Sequence, residues 1–344
     1  MRLLAWAGAP LPLFSPSRKT VRRDRDAFVR GTRIRMELDA RERPMHCHHE
    51  KLAVVDGRIA YVGGIDLTGL AGDRRDASGH PPRDGLGWHD AAVRIEGPLV
   101  QDVAAHVALR WREVTGEQLQ AAADPTPAGD VEAQFVRTVP NGIYDALPQG
   151  DFRILEAYVR ALRSARSLVY LENQFLWSPE AVRILEAKLR NPPSDDFHVV
   201  VLLPARPNNG ADDTRGQLGV LVDADRDGRF LACTLYQPGR RQQVYVHAKI
   251  AVVDDRWLAI GSANLNEHSF FNDTEACVIT CDARLARDTR LRLWREHLEV
   301  EEPTFETWRE RADESAYDRL RLLPHVSRRV RRFLGPINGL LVDG

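Results

Sequence analysis

The chain has 344 residues, of which 43% are hydrophobic and 28% charged, and its formal net charge is −1. This composition is ordinary for a globular protein with one large or two medium domains, and the near-zero charge gives no overall field that would favour nucleic acid. No stretch approaches the roughly 18 apolar residues that a membrane-spanning helix requires. The four cysteines match no zinc-binding spacing, and we expect buried free thiols at Cys47, Cys233, Cys277 and Cys281.

The first half of the sequence contains the signals of three strands and one helix. The predicted strands cover residues 2–6, 52–55 and 59–62, and the predicted helix covers residues 100–111. Asp56 and Gly57 form the turn between the second and third strands. Only 48 residues precede His49, whereas His247 lies 96 residues after Asp151, where the second half begins. We therefore expect the sequence to begin part-way through its first structural unit.

The second half alternates helix and strand signals. Helices are predicted at residues 154–162, 181–189 and 285–298, and strands at residues 168–171, 197–203, 244–253 and 257–262. Asp151 is the expected cap of the first of these helices, and the continuous apolar run at 197–203 is typical of a strand buried on both faces. The alternation predicts an α/β fold with helices on both faces of a sheet. The Pro-rich residues 121–130 mark the expected boundary between the halves.

Five residues recur in the same register 198 positions apart. The first set is His49, Lys51, Asp56, Gly63 and Asp66, and the second set is His247, Lys249, Asp254, Gly261 and Asn264. A single His-x-Lys-x4-Asp motif would be weak, and a lone histidine would fit a surface position. Two motifs, each with a glycine at the same distance, instead indicate a duplicated unit.

The repeated residues suit phosphate chemistry. Side chains two apart on a strand share a face, so each histidine projects with its lysine, and two such pairs could converge on one anion. The predicted phosphate-binding groups are Lys51, Lys249, Ser262 and Asn264. Asp56 and Asp254 fall in turns, where we expect them to bond to backbone.

Two imidazoles and two lysines favour phosphodiester cleavage without a metal. One neutral histidine would attack phosphorus to form a phosphohistidine, while the other, protonated, would donate to the leaving alkoxide. Such a pair predicts a bell-shaped pH–rate profile. Each histidine also needs a carboxylate to hold its tautomer. The candidates are Asp90 after the first motif, and Glu275 or Asp273 after the second.

The sequence resembles the phospholipase D superfamily, which is defined by the duplicated His-x-Lys-x4-Asp motif, and most closely its phosphatidylcholine-type phospholipases D. The segments that carry the resemblance are His48-His49-Glu50-Lys51 with residues 63–67, Trp88-His89-Asp90 with residues 94–98, Tyr170-Leu171-Glu172-Asn173-Gln174-Phe175, Val246-His247-Ala248-Lys249, and residues 261–266. The resemblance implies that His49 is the nucleophile and His247 the general acid. It also implies supporting roles for Glu172, Asn173 and Gln174. Asp66 departs from the symmetry, because an anion there would repel phosphate unless it faces a cationic head group or bonds to backbone.

The resemblance implies an α/β fold of two tandem repeats, each a mixed β-sheet flanked by helices, packed pseudo-twofold around one active site. The expected organisation is a first repeat at 1–123, a linker and start of the second half at 124–150, a second repeat at 151–300 and an Arg-rich tail at 301–344. The expected activity is head-group cleavage of glycerophospholipids, with possible transfer to alcohols. A cardiolipin synthase-type phosphatidyltransferase, a metal-independent nuclease and an inactive lipid-binding module are the alternatives.

We expect a phospholipid substrate, a peripheral membrane surface as partner, no stable nucleic-acid partner, and neither cofactor nor metal. The expected location is cytoplasmic or membrane-peripheral, with secretion left open if the N-terminus is truncated. Residues 326–334 form a basic amphipathic pattern, with four arginines off the face made by Val326, Val330, Phe333 and Leu334. This pattern suits either an anionic lipid surface or a helix docked on the protein with solvated arginines.

Overall fold

The computed structural model describes residues 1–11, 15–44, 46–66, 88–120, 126–207, 211–237, 242–313 and 320–322. The predicted basic helix at 326–334 therefore lies outside the described residues. No helix in the described ranges is long and apolar enough to cross a membrane.

The first half forms two small sheets covered by helices. Its elements are β1 (Arg2–Trp6), α1 (Arg18–Val29), β2 (Arg35–Asp39), β3 (Lys51–Val55), β4 (Ile59–Gly63), β5 (Trp88–His89), β6 (Ala92–Glu96) and α2 (Leu99–Thr115). Strands β1 and β2 pair in parallel, while β3, β4 and β6 form an antiparallel sheet. The predicted strand pair and helix of this half are confirmed.

The second half builds one large mixed sheet. Its strands are β7 (Ala133–Val139), β8 (Asp151–Phe152), β9 (Leu168–Glu172), β10 (His198–Leu202), β11 (Phe230–Gln237), β12 (Gln242–Val246), β13 (Ile250–Val253), β14 (Trp257–Gly261), β15 (Glu275–Thr280) and β16 (Leu320–Leu322). The order across the sheet is β5-β12-β11-β10-β9-β13-β14-β15-β7-β8, with β16 beside β11. Strands β9, β10 and β11 are parallel, and β13, β14, β15 and β7 continue the sheet antiparallel.

Helices cover both faces of this sheet, as the alternation of helix and strand signals predicted. They are α3 (Arg153–Ser164), α4 (Pro179–Arg190), α5 (Ala211–Ala224), α6 (Ala283–Leu298) and α7 (Phe305–Asp313), with a single π-helical turn at His268–Asn272. On β10, Val199 and Val201 pack into the cluster that holds α3, α4 and α5 residues, while Val200 and Leu202 pack into the cluster that holds α6 and α7 residues. Burial on both faces explains the uninterrupted apolar run.

The small antiparallel sheet packs against the large sheet. Ala60 and Val62 of β4 share a buried cluster with Val103 of α2 and with Ala276 and Val278 of β15. The two halves are thus joined by a continuous apolar contact. The domain boundaries proposed from the sequence stay a prediction, with β7 lying inside the 124–150 segment.

Three local predictions were wrong. Phe152 and not Asp151 holds the cap position of α3, and the Asp151 carboxylate accepts from the Arg153 N–H at 3.4 Å and from the Arg137 and Arg153 side chains. Cys281 is exposed, since it follows the end of β15, whereas the other three cysteines are buried. The predicted strand at 244–253 is two strands, β12 and β13, which lie at different places in the sheet.

The break between β12 and β13 has a physical cause at the second motif. The backbone N–H groups of His247 and Ala248 both donate to the carbonyl of His89, at 2.8 and 2.9 Å. These bonds direct the chain toward β5, and two residues later it returns to pair with β9 and β14. His247 and Lys249 therefore lie in a connection between strands.

Candidate active site

Each motif histidine is anchored to the segment that follows the other motif. The His49 N–H donates to the Thr274 carbonyl at 3.0 Å, and the Thr274 N–H donates to the Cys47 carbonyl at 3.3 Å. The matching contact in the other half joins His247 to the carbonyl of His89. The two contacts are related by exchange of the halves, and they place both motifs at one site.

The carboxylate partners are exchanged in the same way. Nδ1 of His49 lies 2.9 Å from Oε1 of Glu275, and Nδ1 of His247 lies 2.7 Å from Oδ2 of Asp90. A carboxylate bonded to Nδ1 fixes the tautomer and leaves Nε2 for chemistry. Each histidine–carboxylate pair therefore takes one member from each half, and neither pair can form within one half of the chain.

Glu275 is fully buried and held by two hydroxyl groups. The hydroxyls of Ser262 and Ser269 donate to its two oxygens, the latter at 2.5 Å. The sequence assigned Ser262 to phosphate binding, but its single hydroxyl hydrogen is committed to Glu275. The structure thus gives Ser262 a supporting position behind His49.

The two lysines make equivalent backbone contacts. Nζ of Lys51 donates to the His49 carbonyl at 2.6 Å, and Nζ of Lys249 donates to the His247 carbonyl at 2.5 Å. Their other partners differ, since Lys51 lies 3.4 Å from the carboxylate of Asp66, while Lys249 lies 3.1 Å from Nδ1 of His247 and donates to Oε1 of Gln174 at 3.4 Å. Asp66 therefore forms an ion pair with Lys51.

The electrostatics show that the two motifs converge. Burial, together with the nearby Lys51 cation, lowers the pKa of Lys249 to about 8, although Asp90 opposes the shift. Burial and the cations of Lys249 and Lys51 hold the pKa of His247 below its usual range, while burial raises the pKa of Asp90. Asp90 and His247 are hydrogen bonded, and their pKa values shift in opposite directions.

Asn264 presents a buried amide without a partner. The residue is 0% exposed, and neither its side-chain oxygen nor its nitrogen has a hydrogen-bond partner within the described part of the chain. Its backbone is fixed, since the Asn264 N–H donates to the Ser269 hydroxyl at 2.9 Å and the next N–H, of Leu265, donates to Asn173 at 3.1 Å. An unsatisfied buried amide is costly, and an incoming phosphate oxygen would accept a hydrogen bond from its NH2 group.

The segment after β9 supports the second motif from behind. Glu172 accepts from Nε2 of His89 at 2.6 Å and from Nε2 of His297 at 2.9 Å, and all three side chains are buried. Gln174 donates to the Tyr245 hydroxyl at 2.9 Å. The sequence analysis did not identify His297, which lies on α6 and carries no motif of its own.

Trp88 is a further residue that the sequence analysis did not assign to the site. Its ring stacks on the imidazole of His247, with centroids 4.1 Å apart and planes 22° apart. The adjacent Asp90 holds the same imidazole through Nδ1. The sequence signal that could have identified Trp88 was its place beside His89 and Asp90.

The two aspartates predicted to lie in turns share a backbone conformation, and Asp254 has clear structural partners. Asp254, at φ 54°, accepts from the backbone N–H groups of Arg166, Ser167 and Leu168, each at 2.8 Å, which ties its turn to the start of β9. Asp56 has the same left-handed conformation, at φ 52°. Of the two candidates after the second motif, Glu275 contacts His49.

Asp273, the other candidate, lies away from His49. Its Oδ1 accepts from the Cys47 N–H at 2.8 Å and lies 3.4 Å from Nδ1 of His46. It therefore holds the chain that leads into the first motif.

The repeated glycines are needed for close strand contacts. A Cβ on Gly261 would lie 2.7 Å from Cα of Cys277 and closer still to the Ala276 carbonyl oxygen on β15, and a Cβ on Gly63 would overlap Ala92 on β6. Each glycine thus lets the strand that follows its motif approach the next strand.

A buried ionic network supports the first motif. Arg110 bonds to Asp39 at 2.9 Å and to Glu50, while Glu50 also accepts from His106 at 2.7 Å. The guanidinium of Arg110 and the imidazole of His106 hold the pKa of Glu50 well below its usual range, although burial opposes the shift. Asp39 also lies 3.2 Å from Nε2 of His48. These contacts explain the polar residues on either side of His49, which the sequence left without roles.

The site brings together two imidazoles with exchanged carboxylates, two ammonium groups and the buried amide of Asn264. A family model described as "Cardiolipin synthase, PLD-like domain" matches residues 158–295. Phospholipase D A of Dictyostelium discoideum is 25% identical over 73% of this chain and 27% of its own length. Cardiolipin synthase A of Pseudomonas putida is 30% identical over 84% of this chain and 53% of its own length. The chain belongs to the phospholipase D superfamily.

The crystal structure of phosphatidylserine synthase from Haemophilus influenzae Rd KW20 supports the fold assignment. It aligns with 97% of this chain and 79% of its own chain, with a TM-score of 0.56 and 10% identity. The predicted α/β class is therefore confirmed. The chain spans about half or less of the length of the curated relatives it matches.

Proposed function

We propose that this protein is a phospholipase D-type phosphodiesterase that cleaves the head-group phosphodiester of a glycerophospholipid. The observation that carries the proposal is the pair of motif histidines, each bonded through Nδ1 to a carboxylate from the other half of the chain. The names of the relatives, phospholipase D and cardiolipin synthase, supply the substrate class.

The reaction follows from the two imidazoles. Nε2 of His49 attacks phosphorus, the bond from phosphorus to the head-group oxygen breaks, and that oxygen takes the proton on Nε2 of His247. Water, or another alcohol, then attacks the phosphohistidine and gives its proton to His247, and the P–N bond breaks. Glu275 stabilises the charge that develops on His49, and Asp90 shares the proton of His247.

The cations and the amide act on the phosphate oxygens. Lys51 and Lys249 lie two residues from the reacting imidazoles, and the Asn264 amide has both donor and acceptor free within the described ranges. Preorganised donors in a buried site stabilise charge that develops on equatorial oxygens. A bound phosphate also raises the tendency of Lys249 to stay protonated, which strengthens binding further.

A phosphatidyltransferase of the cardiolipin synthase type is the second candidate. The family description that matches residues 158–295 and the 30% identity to a cardiolipin synthase both favour it. The two candidates share every step up to the phosphohistidine and differ only in whether water or a lipid alcohol receives the phosphatidyl group.

The test is product analysis on mixed vesicles of phosphatidylcholine and phosphatidylglycerol, in EDTA, with and without ethanol. Wild type is compared with His49→Ala, His247→Ala and the control His198→Ala, which removes a histidine that begins β10 outside the site. We expect product from wild type and the control but none from the two site variants. Phosphatidic acid identifies hydrolysis, phosphatidylethanol identifies the covalent intermediate, and cardiolipin identifies the transferase.

Absence of any lipid product would overturn the proposal, and cleavage of single-stranded nucleic acid under the same conditions would replace it with a nuclease. Binding of vesicles without turnover would instead identify a lipid-binding module. Equal activity in wild type and the two site variants would overturn the two-histidine mechanism.

A further inference from the structure

A second group of histidines lies beside the site and outside the proposed chemistry. His46 precedes the first motif, His268 lies in the π-helical turn after Asn264, and Asp273 precedes Glu275. Nδ1 of His46 lies 3.0 Å from Nδ1 of His268 and 3.4 Å from Oδ1 of Asp273. We call these three residues the His46 cluster.

Within the described residues, the Asp273 carboxylate of the His46 cluster is only partly satisfied. Two neutral ring nitrogens 3.0 Å apart share one proton, so whichever imidazole accepts presents a lone pair. Oδ2 of Asp273 is buried, and it has no hydrogen-bond partner in the described ranges. Because Asp273 is fully buried, an unpaired carboxylate oxygen is costly. A cation bound by the two imidazoles and by Asp273 would balance the buried charge of this carboxylate.

The spacing of the donor atoms fits a tetrahedral transition metal. Zinc binds imidazole nitrogen and carboxylate oxygen at about 2.0–2.1 Å, so tetrahedral ligand atoms lie about 3.3 Å from one another. The two separations from Nδ1 of His46, 3.0 and 3.4 Å, bracket that value, and the ligand atoms of all three residues lie within 4.8 Å of one another. Two imidazoles and one carboxylate are also a ligand set that zinc accepts, with water in the fourth position.

A second group of potential metal ligands in the same molecule differs from the His46 cluster in its hydrogen bonds. His89, Glu172 and His297 also bring three potential ligands together. There both carboxylate oxygens already accept an imidazole Nε2–H, at 2.6 and 2.9 Å, and all three side chains are buried. In the His46 cluster one carboxylate oxygen has no such bond, and 11% of the His46 side chain is exposed, which gives an ion a path from solvent.

We propose that the His46 cluster is a binding site for one zinc-class divalent metal ion. The ion joins two segments of the chain. His46 lies just before His49 in the sequence, and Asp273 lies just before Glu275. It is separate from the phosphate-facing groups, so it stabilises the contact between these two segments and takes no part in the phosphodiester chemistry.

The test is metal binding by protein purified without a histidine tag and stripped with chelator. Titration with Zn²⁺ is followed by calorimetry, and the metal retained after dialysis is measured by mass spectrometry. We expect one equivalent in wild type and in His198→Ala. His46→Ala and Asp273→Asn are expected to bind at least ~100-fold more weakly, since loss of even an outer partner of a metal ligand costs 10–100-fold.

Circular dichroism of each variant shows whether it is folded, and Co²⁺ substitution in wild type gives a readout that needs no variant. A strong tetrahedral-type visible spectrum of the Co²⁺ protein is the expected result. Equal zinc affinity in wild type and His46→Ala, no retained zinc in wild type, or a weak octahedral-type Co²⁺ spectrum would each overturn the proposal.

Discussion

Replacement of Glu275 by glutamine tests the exchange of carboxylates between the halves. The side chain is fully buried, and it accepts from Nδ1 of His49 at 2.9 Å and from the hydroxyls of Ser262 and Ser269. Glutamine has the same shape and keeps one acceptor oxygen, so the serines can reorient around it. What is lost is the negative charge beside the His49 imidazole.

The expected loss follows from the strength of that bond. A hydrogen bond to a charged group contributes about 1.5–3 kcal/mol, and each ~1.4 kcal/mol of transition-state stabilisation is a factor of ten in rate. Glu275→Gln should therefore lower kcat/KM for lipid about 10- to 150-fold. Asp90→Asn should lower it by a similar factor, because Asp90 makes the corresponding bond to His247.

The roles of the two carboxylates can be distinguished with substrates that have different leaving groups. A p-nitrophenyl phosphodiester releases an acidic phenol that needs little help from a proton donor, so loss of the general acid costs less with it than with a choline ester. The burst of p-nitrophenol is measured by stopped flow for Glu275→Gln, Asp90→Asn, His49→Ala and His247→Ala. We expect Glu275→Gln to follow the pattern of His49→Ala with both substrates, and Asp90→Asn to follow His247→Ala.

The comparison does not depend on which histidine is the nucleophile, because each histidine variant defines its own pattern. If Glu275→Gln followed His247→Ala, and Asp90→Asn followed His49→Ala, the exchanged pairing would be refuted. Equal effects of both substitutions with both substrates would show that neither carboxylate is specific to one imidazole.

Three further predictions concern charge, phosphate contact and packing. Because the pKa of Lys249 is lowered to about 8, the free enzyme loses this cation as pH rises through 8. In a pH–rate profile, kcat/KM should therefore fall above that pH, and Lys249→Arg should move the fall to higher pH. Asn264→Ala should lower kcat/KM about 10- to 150-fold, with an unchanged free energy of unfolding in urea. Gly261→Ala should destabilise the fold by about 1–3 kcal/mol through overpacking.

Each of these has a control or a contrary result. Gly129→Ala is the matched control for Gly261→Ala, since a Cβ there meets nothing within 4 Å, and equal urea midpoints for the two would contradict the packing argument. A loss of stability in Asn264→Ala would show that its amide has partners in the folded protein. An alkaline limb that does not move in Lys249→Arg would assign the titration to another group.

The duplicated strand pair could be predicted because its determinants are local. Asp56 and Asp254 both adopt positive φ at the same repeat position, and the glycine seven residues later in each half, Gly63 or Gly261, meets a neighbouring strand. The strand at 197–203 was equally clear, since burial on both faces gives a continuous apolar run. Such signals need no knowledge of the partner in space.

The pairing of acids with imidazoles could not be predicted, because it depends on tertiary contacts. Asp90 lies 157 residues from His247, and Glu275 lies 226 residues from His49. Each is nearer in sequence to the motif that it does not serve. The position of Ser262 was misjudged for the same reason, since its partner Glu275 comes from the neighbouring strand.

The two motif lysines show how a duplicated sequence gives a site with two unequal sides. Lys51 faces the Asp66 carboxylate, whereas Lys249 is buried and faces the neutral amide of Gln174. A phosphate near Lys249 therefore meets a cation that has no carboxylate among its hydrogen-bond partners in the described residues. The anion of Asp66 lies on the Lys51 side. There it would favour a cationic head group over a second phosphate oxygen. The repeat supplies the two imidazoles, and the departures from it make their surroundings unequal, as the proposed division into nucleophile and acid requires.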